Sequence, residues 1–157
     1  MMRRLQRILN YGILIAGVSM VVPVIAQPDT FKTLTLDNKT SSGMMMGSTG
    51  GTTSLPAVVS NSDRSERKCL GFGDPNPDHT IVLKQPVAKL TIRVDSGGSD
   101  TTLLISGPGG VRCTDSGASK DAKLQDKDFQ PGTYQVWVGT IAPNTNRDYR
   151  LTVRASN

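Results

Sequence analysis

From Cys69 onward the chain is a succession of short runs in which apolar and polar residues alternate, cut by Gly, Pro and Asn. Lys89-Leu90-Thr91-Ile92-Arg93-Val94 places Leu90, Ile92 and Val94 on one face of an extended strand. Thr133-Tyr134-Gln135-Val136-Trp137-Val138 and Tyr149-Arg150-Leu151-Thr152-Val153 repeat that period of two. Thr80 to Leu83 is a short apolar run between Pro77 and Pro86, and Thr101 to Ser106 closes on Gly107-Pro108-Gly109-Gly110 before Val111-Arg112-Cys113. The last two segments read as a hairpin. Ser116 to Asp128 is polar, with one short strand or turn expected around Ala122 and Leu124. No long window sustains apolar residues three and four apart, so a helical bundle is not expected. Six to eight such strands predict an all-β fold, an antiparallel β-sandwich of jelly-roll type, over residues 67–157.

Residues 1–26 predict export. Arg3, Arg4 and Arg7 precede an apolar stretch from Ile8 to Ile25, nearly free of polar groups between Tyr11 and Val22. Pro23 ends its helical run, and small residues, Val24 and Ala26, sit at the −3 and −1 positions of a cut after Ala26. That is the form of a cleaved signal peptide. The run of about 15 to 18 apolar residues is at or below the roughly 20 needed to span a bilayer, and an uncleaved anchor is the alternative. Cleavage after Ala26 removes three basic residues and no acid, leaving 15 Lys and Arg against 13 Asp and Glu, or +2 in place of +5. Basic and acidic residues then alternate along the chain as on an ordinary solvated surface, which predicts no nucleic-acid binding. The expected location is secreted or periplasmic.

In that compartment Cys69 and Cys113, the only two cysteines, are expected to form one disulfide. Two buried free thiols are the alternative. Residues 27–66 differ in composition. Phe31 to Leu36 could form one strand, but Thr40 to Ser54 is Gly/Ser/Thr-rich around Met44-Met45-Met46 and reads as a flexible segment. A copper(I) site on the three methionines is conceivable by ligand softness. Neighbouring residues in one loop seldom converge on one ion, so a greasy linker is the preferred reading.

Several phrases occur together: Cys69-Leu70-Gly71, Pro77-Asp78-His79, Asp100-Thr101-Thr102-Leu103, Gly107-Pro108-x-Gly110, Cys113-x-Asp115 and Pro131-Gly132-Thr133-Tyr134-x-Val136-x-Val138-Gly139. Together they resemble the bacterial pre-peptidase C-terminal domains, including the collagen-binding domains of secreted collagenases. Over residues 69–157 the resemblance implies a jelly-roll-like sandwich acting as an accessory or binding module of the exported proteome. Related domains bind calcium through acidic pairs after the second hairpin strand, where Thr114-Asp115-Ser116 supplies a single acid.

Calcium favours oxygen ligands from turn aspartates. Asp74, Asp78, Asp100, Asp115 and Asp121 all fall in loops or at strand ends, and Asp100, Asp115 and Asp121 are the candidate calcium ligands. They could equally be turn residues satisfying local N–H groups. Trp137 faces opposite to Tyr134, Val136 and Val138. It is either a platform for a ligand, flanked by Gln135 and Arg150, or covered by a loop or the N-terminal segment. His79, the single histidine, sits beside Asp78, but no Gly-x-Ser-x-Gly nucleophile context accompanies it. The chain is therefore expected to be non-enzymatic. The expected role is an exported accessory or binding module for a surface polymer or protein partner. A calcium-stabilised structural accessory protein and a hydrolase-associated protein with weak or no activity of its own are the alternatives.

Overall fold

The computed structural model describes residues 33–156, so the expected signal peptide, residues 1–26, lies outside the described residues. In chain order the elements are β1 Thr33–Leu36, β2 Ser42–Ser48, β3 Thr53–Ser54, α1 Leu55–Val58, β4 Phe72–Gly73 and β5 His79–Leu83. There follow β6 Val87–Asp95, β7 Thr101–Ser106, β8 Arg112–Asp115, β9 Lys123–Phe129, β10 Gly132–Thr140 and β11 Asp148–Ser156. They form two facing sheets. One is centred on β10, with β5 and then β4 along one edge and β7 along the other. β1 extends it in parallel beside β5, β3 beside β4, and β8 beside β7. The second sheet runs β2-β11-β6-β9, antiparallel throughout.

The alternation read from the sequence is what builds the core. Leu90, Ile92 and Val94 of β6, Leu151 and Val153 of β11, and Tyr134, Val136 and Val138 of β10 are all buried between the sheets. At about 25 cal/mol per Å² of apolar surface removed from water, this layer is the dominant favourable contribution to folding. One long side of the sandwich is closed by charge. Arg112 of β8, buried with 1% of its surface exposed, donates from Nε to Asp126 of β9 at 2.9 Å and lies 4.0 Å over the Phe129 ring. Arg64 reaches the same carboxylate at 3.2 Å.

Residues 40–54 are not a linker. Ser42–Ser48 pairs with β11 over seven residues. Composition misleads here because a Gly/Ser/Thr/Met segment cannot fold alone but can add a strand to an edge that already exists. It contributes one buried side chain, Met45, and its ladder bonds. Small residues suit it: a Cβ on Gly43 would push aside the end of the Leu34 side chain, and one on Gly47 would overlap the hydroxyl and ring of the buried Tyr149, its cross-strand partner.

Candidate functional site

The site built by this fold is the outer face of the second sheet. Because Leu90, Ile92, Val94, Leu151 and Val153 point inward, residues at the opposite parity of β6, β9 and β11 point outward. Each of the three strands carries two cations four residues apart: Lys89 and Arg93, Lys123 and Lys127, Arg150 and Arg154. Four residues is an even number, so each pair shares a face, about 13 Å apart along the strand. Register brings the cations of β6 and β9 side by side and sets those of β11 opposite other residues. Arg93 lies opposite Lys123, Lys89 opposite Lys127, and Arg154 opposite Thr91.

Among the described residues two acids share this face, Asp95 opposite Arg150 and Asp148 opposite Ser48, and both are at one end. Thr91, Arg93, Asp95, Lys123, Arg150, Thr152 and Arg154 line a shallow depression on this face. The exposed side chains of Met44 and Met46 border it, opposite Thr152 and Arg150. Like charges directly opposite one another destabilise a sheet, so the Arg93–Lys123 and Lys89–Lys127 pairs repel. The expectation of an ordinary mixed-charge surface is thereby corrected. Along the chain the cations alternate with aspartates, but in space they converge.

The residues expected to form a platform are not together. Trp137 is buried, 6% exposed, with Leu55, Leu104, Cys69 and Cys113, under a cover made by residues 55–69. Its indole N–H donates to the Pro75 carbonyl at 3.2 Å. Cover by the N-terminal segment, the second of the two readings, is therefore the outcome. The Cys69–Cys113 disulfide is formed and ties this cover to β8. Gln135 is exposed on β10, whereas Arg150 is exposed on β11 in the other sheet.

The candidate calcium ligands lie at neighbouring turns but do not converge: among the described residues no three His, Cys, Asp or Glu side chains form a metal-binding group. Asp121 accepts the Ser96 hydroxyl at 2.7 Å and the Ser96 N–H at 2.9 Å. Partial burial opposes its ionisation, but these bonds, with Arg93 nearby, hold its carboxyl below the usual range. Asp115 accepts the Gly117 N–H at 3.2 Å, and Asp100 faces the Ser116 hydroxyl at 3.5 Å. Asp74 accepts the Asn76 N–H. These are turn-forming bonds.

His79 points into the core, not into a cleft. Its Nε2 is 2.9 Å from the Tyr149 hydroxyl across the two sheets, with the rings edge to face. Its Nδ1, where a catalytic aspartate would bind, has no hydrogen-bond partner. Burial lowers its pKa to about 4 and raises that of Tyr149. Asp78 accepts the Val138 N–H at 2.7 Å instead. Loss of hydration, opposed by that bond and reinforced by Asp74, pushes its carboxyl up to about 7. The pair is thus a neutral bridge through the core at mid-acid pH and not a Ser-His-Asp relay.

The cationic face escaped the sequence reading because net charge and nearest neighbours were weighed, not same-face spacing. The signal was present in the three cation pairs four residues apart.

No family model and no curated protein matches the chain. Among solved structures, it is similar to PliG, a periplasmic inhibitor of g-type lysozyme from Aeromonas hydrophila, with 16% identity, 81% of this chain and 98% of that one covered, and a TM-score of 0.46. It is likewise similar to the pre-peptidase C-terminal domain of a Bacillus anthracis collagenase, with 16% identity, coverage of 82% and 98%, and a TM-score of 0.47. The third is CorA, a surface-associated copper-binding protein of Methylomicrobium album BG8, with 10% identity, coverage of 81% and 99%, and a TM-score of 0.41. Among the described residues no helix is long and apolar enough to cross a membrane.

Proposed function

We propose that this chain is an exported binding module, without catalysis of its own, that holds an anionic polymer of the cell exterior on the outer face of the β2-β11-β6-β9 sheet. The observation that carries this reading is the pair of like-charge neighbours, Arg93–Lys123 and Lys89–Lys127. A face kept only for solubility would intersperse its signs. Here repulsion is tolerated within the free protein, and an anion bound across the strands would relieve it. Cation pairs about 4.8 Å apart across β6 and β9, with the β11 cations staggered beside them, suit a chain carrying several negative groups. The disulfide under the opposite sheet fits an oxidising compartment.

The test uses Arg93→Glu/Lys127→Glu. Each change turns a like-charge pair into an opposite-charge pair, while Arg93→Glu also withdraws the cation near Asp121, so thermal stability should stay within about 1 kcal/mol. On immobilised heparin, a sulfated polysaccharide, the natural protein should be retained and elute with salt as screening sets in. The variant should elute at markedly lower salt. Failure of the natural protein to be retained, or equal elution of the two, would overturn the reading.

A further inference from the structure

The outer edge of β2 is built to pair with itself. Ser42–Ser48 reads Ser-Gly-Met-Met-Met-Gly-Ser, identical in both directions about Met45. The Ala155 N–H donates to the Ser41 carbonyl and the Thr49 N–H to the Arg147 carbonyl. In an antiparallel ladder such bonded pairs alternate, so the odd-numbered residues of β2 are bonded to β11. The N–H and C=O groups of Ser42, Met44, Met46 and Ser48 therefore face away, and among the described residues no strand lies beyond them. The edge also lacks the usual protection: it has no charge and no proline. Met44 and Met46, 57% and 47% exposed, place two large apolar side chains on it.

We propose that a second copy of this chain pairs on this edge, antiparallel, with a twofold axis through Met45. A closed twofold interface requires a surface complementary to itself, and a palindromic strand meets that requirement residue by residue. Met44 of one copy lies opposite Met46 of the other, Gly43 opposite Gly47, and Ser42 opposite Ser48. The hydrogen-bonding alternation agrees. The even-numbered residues supply the free N–H and C=O groups, and in this register they meet even-numbered residues. A foreign peptide would satisfy the edge bonds but would give no reason for the symmetry. The pairing joins two four-stranded sheets into one of eight. Four methionines then cover each other on its outer face, flanked on either side by Arg150 and Arg154. The two cationic faces become one continuous surface. The dimer stands on the edge geometry alone, whatever that surface binds.

Sedimentation equilibrium of the protein recovered from an exporting host tests this. A monomer–dimer equilibrium at roughly micromolar protein is expected, in the range of strand-addition contacts of modest area. Met44→Lys/Met46→Lys changes two exposed side chains and sets ammonium groups opposite one another twice across the axis. It should weaken dimerisation by about tenfold or more. In Met44→Cys/Met46→Cys the new cysteines are the only free thiols, because Cys69 and Cys113 are bonded to each other. Mild oxidation of this variant should give a covalent dimer. A natural protein that is monomeric throughout would overturn the proposal. So would a dimer that Met44→Lys/Met46→Lys leaves unchanged, or a dimer in which the paired cysteines never link.

Discussion

Removing the Cys69–Cys113 bridge, by changing both residues to alanine, should cost most of what holds the cover over Trp137. The bridged residues are 44 positions apart. Closing a loop of that length in the unfolded chain removes an entropy of about 13 cal/mol/K, or roughly 4 kcal/mol at 25 °C. That is a large share of the roughly 5–15 kcal/mol typical of a domain. With a urea slope near 2 kcal/mol per molar, the unfolding midpoint should fall by about 2 M. Trp137 is the only tryptophan, and its neighbours Leu55, Cys69 and Cys113 belong to the cover or to the strand it is tied to. Its emission therefore reports the cover, while far-UV circular dichroism reports the sheets. In the variant the fluorescence transition should come at lower urea than the dichroism transition, as the untethered cover opens before the sandwich. A midpoint shift below about 0.5 M would refute the chain-entropy reasoning. Coincident transitions would show that the cover is not a separable unit.

Asp126→Ala should destabilise the chain by about 3–5 kcal/mol in a denaturant melt, because it leaves the buried Arg112 guanidinium without its counter-charge. Arg112→Met/Asp126→Leu should recover most of that loss. Asp78→Asn probes the raised carboxyl. In the natural protein the unfolded state loses this proton near pH 3.8 and the folded state near 7, so stability falls as pH rises through that window. Asparagine still accepts from the Val138 N–H but cannot ionise. The variant should gain at least about 1 kcal/mol at pH 8, or ~3–6 °C in a thermal melt, after allowing for the residue's partial exposure. It should gain nothing at pH 4. His79 acts in the opposite direction, since the unfolded state takes up its proton near pH 6.5 and the folded state only near 4. Stability from that group is lost as pH falls from 6.5 to 4, and with Asp78 neutralised this acid slope should be steeper. A flat pH profile for the variant would contradict the buried, neutral assignment of His79.

The strands were legible because period-two alternation is local. Leu90, Ile92 and Val94 need no knowledge of the rest of the chain to share a face, and the same holds for Tyr134, Val136 and Val138. The disulfide was legible because two cysteines behind an export signal allow one intramolecular bridge. β2 was not legible, because nothing in Ser-Gly-Met-Met-Met-Gly-Ser stabilises a strand by itself. Its place depends on the free edge of β11 and on Tyr149 filling the space above Gly47. The fate of Trp137 was open for a similar reason. Parity shows that it leaves the main core, but only the path of residues 55–69 decides that it is covered.

The same division runs through the charge. Sequence alone determined how many cations there are, and that each strand's pair lies on one face, because side-chain direction along a strand depends only on even or odd spacing. Register determined that Arg93 meets Lys123 and that Lys89 meets Lys127. Those neighbours are 30 and 38 positions apart in the chain, and pairing between strands is set by turns, bulges and core packing acting together. A surface that looks mixed when read along the chain is, for that reason, cationic when read across the sheet.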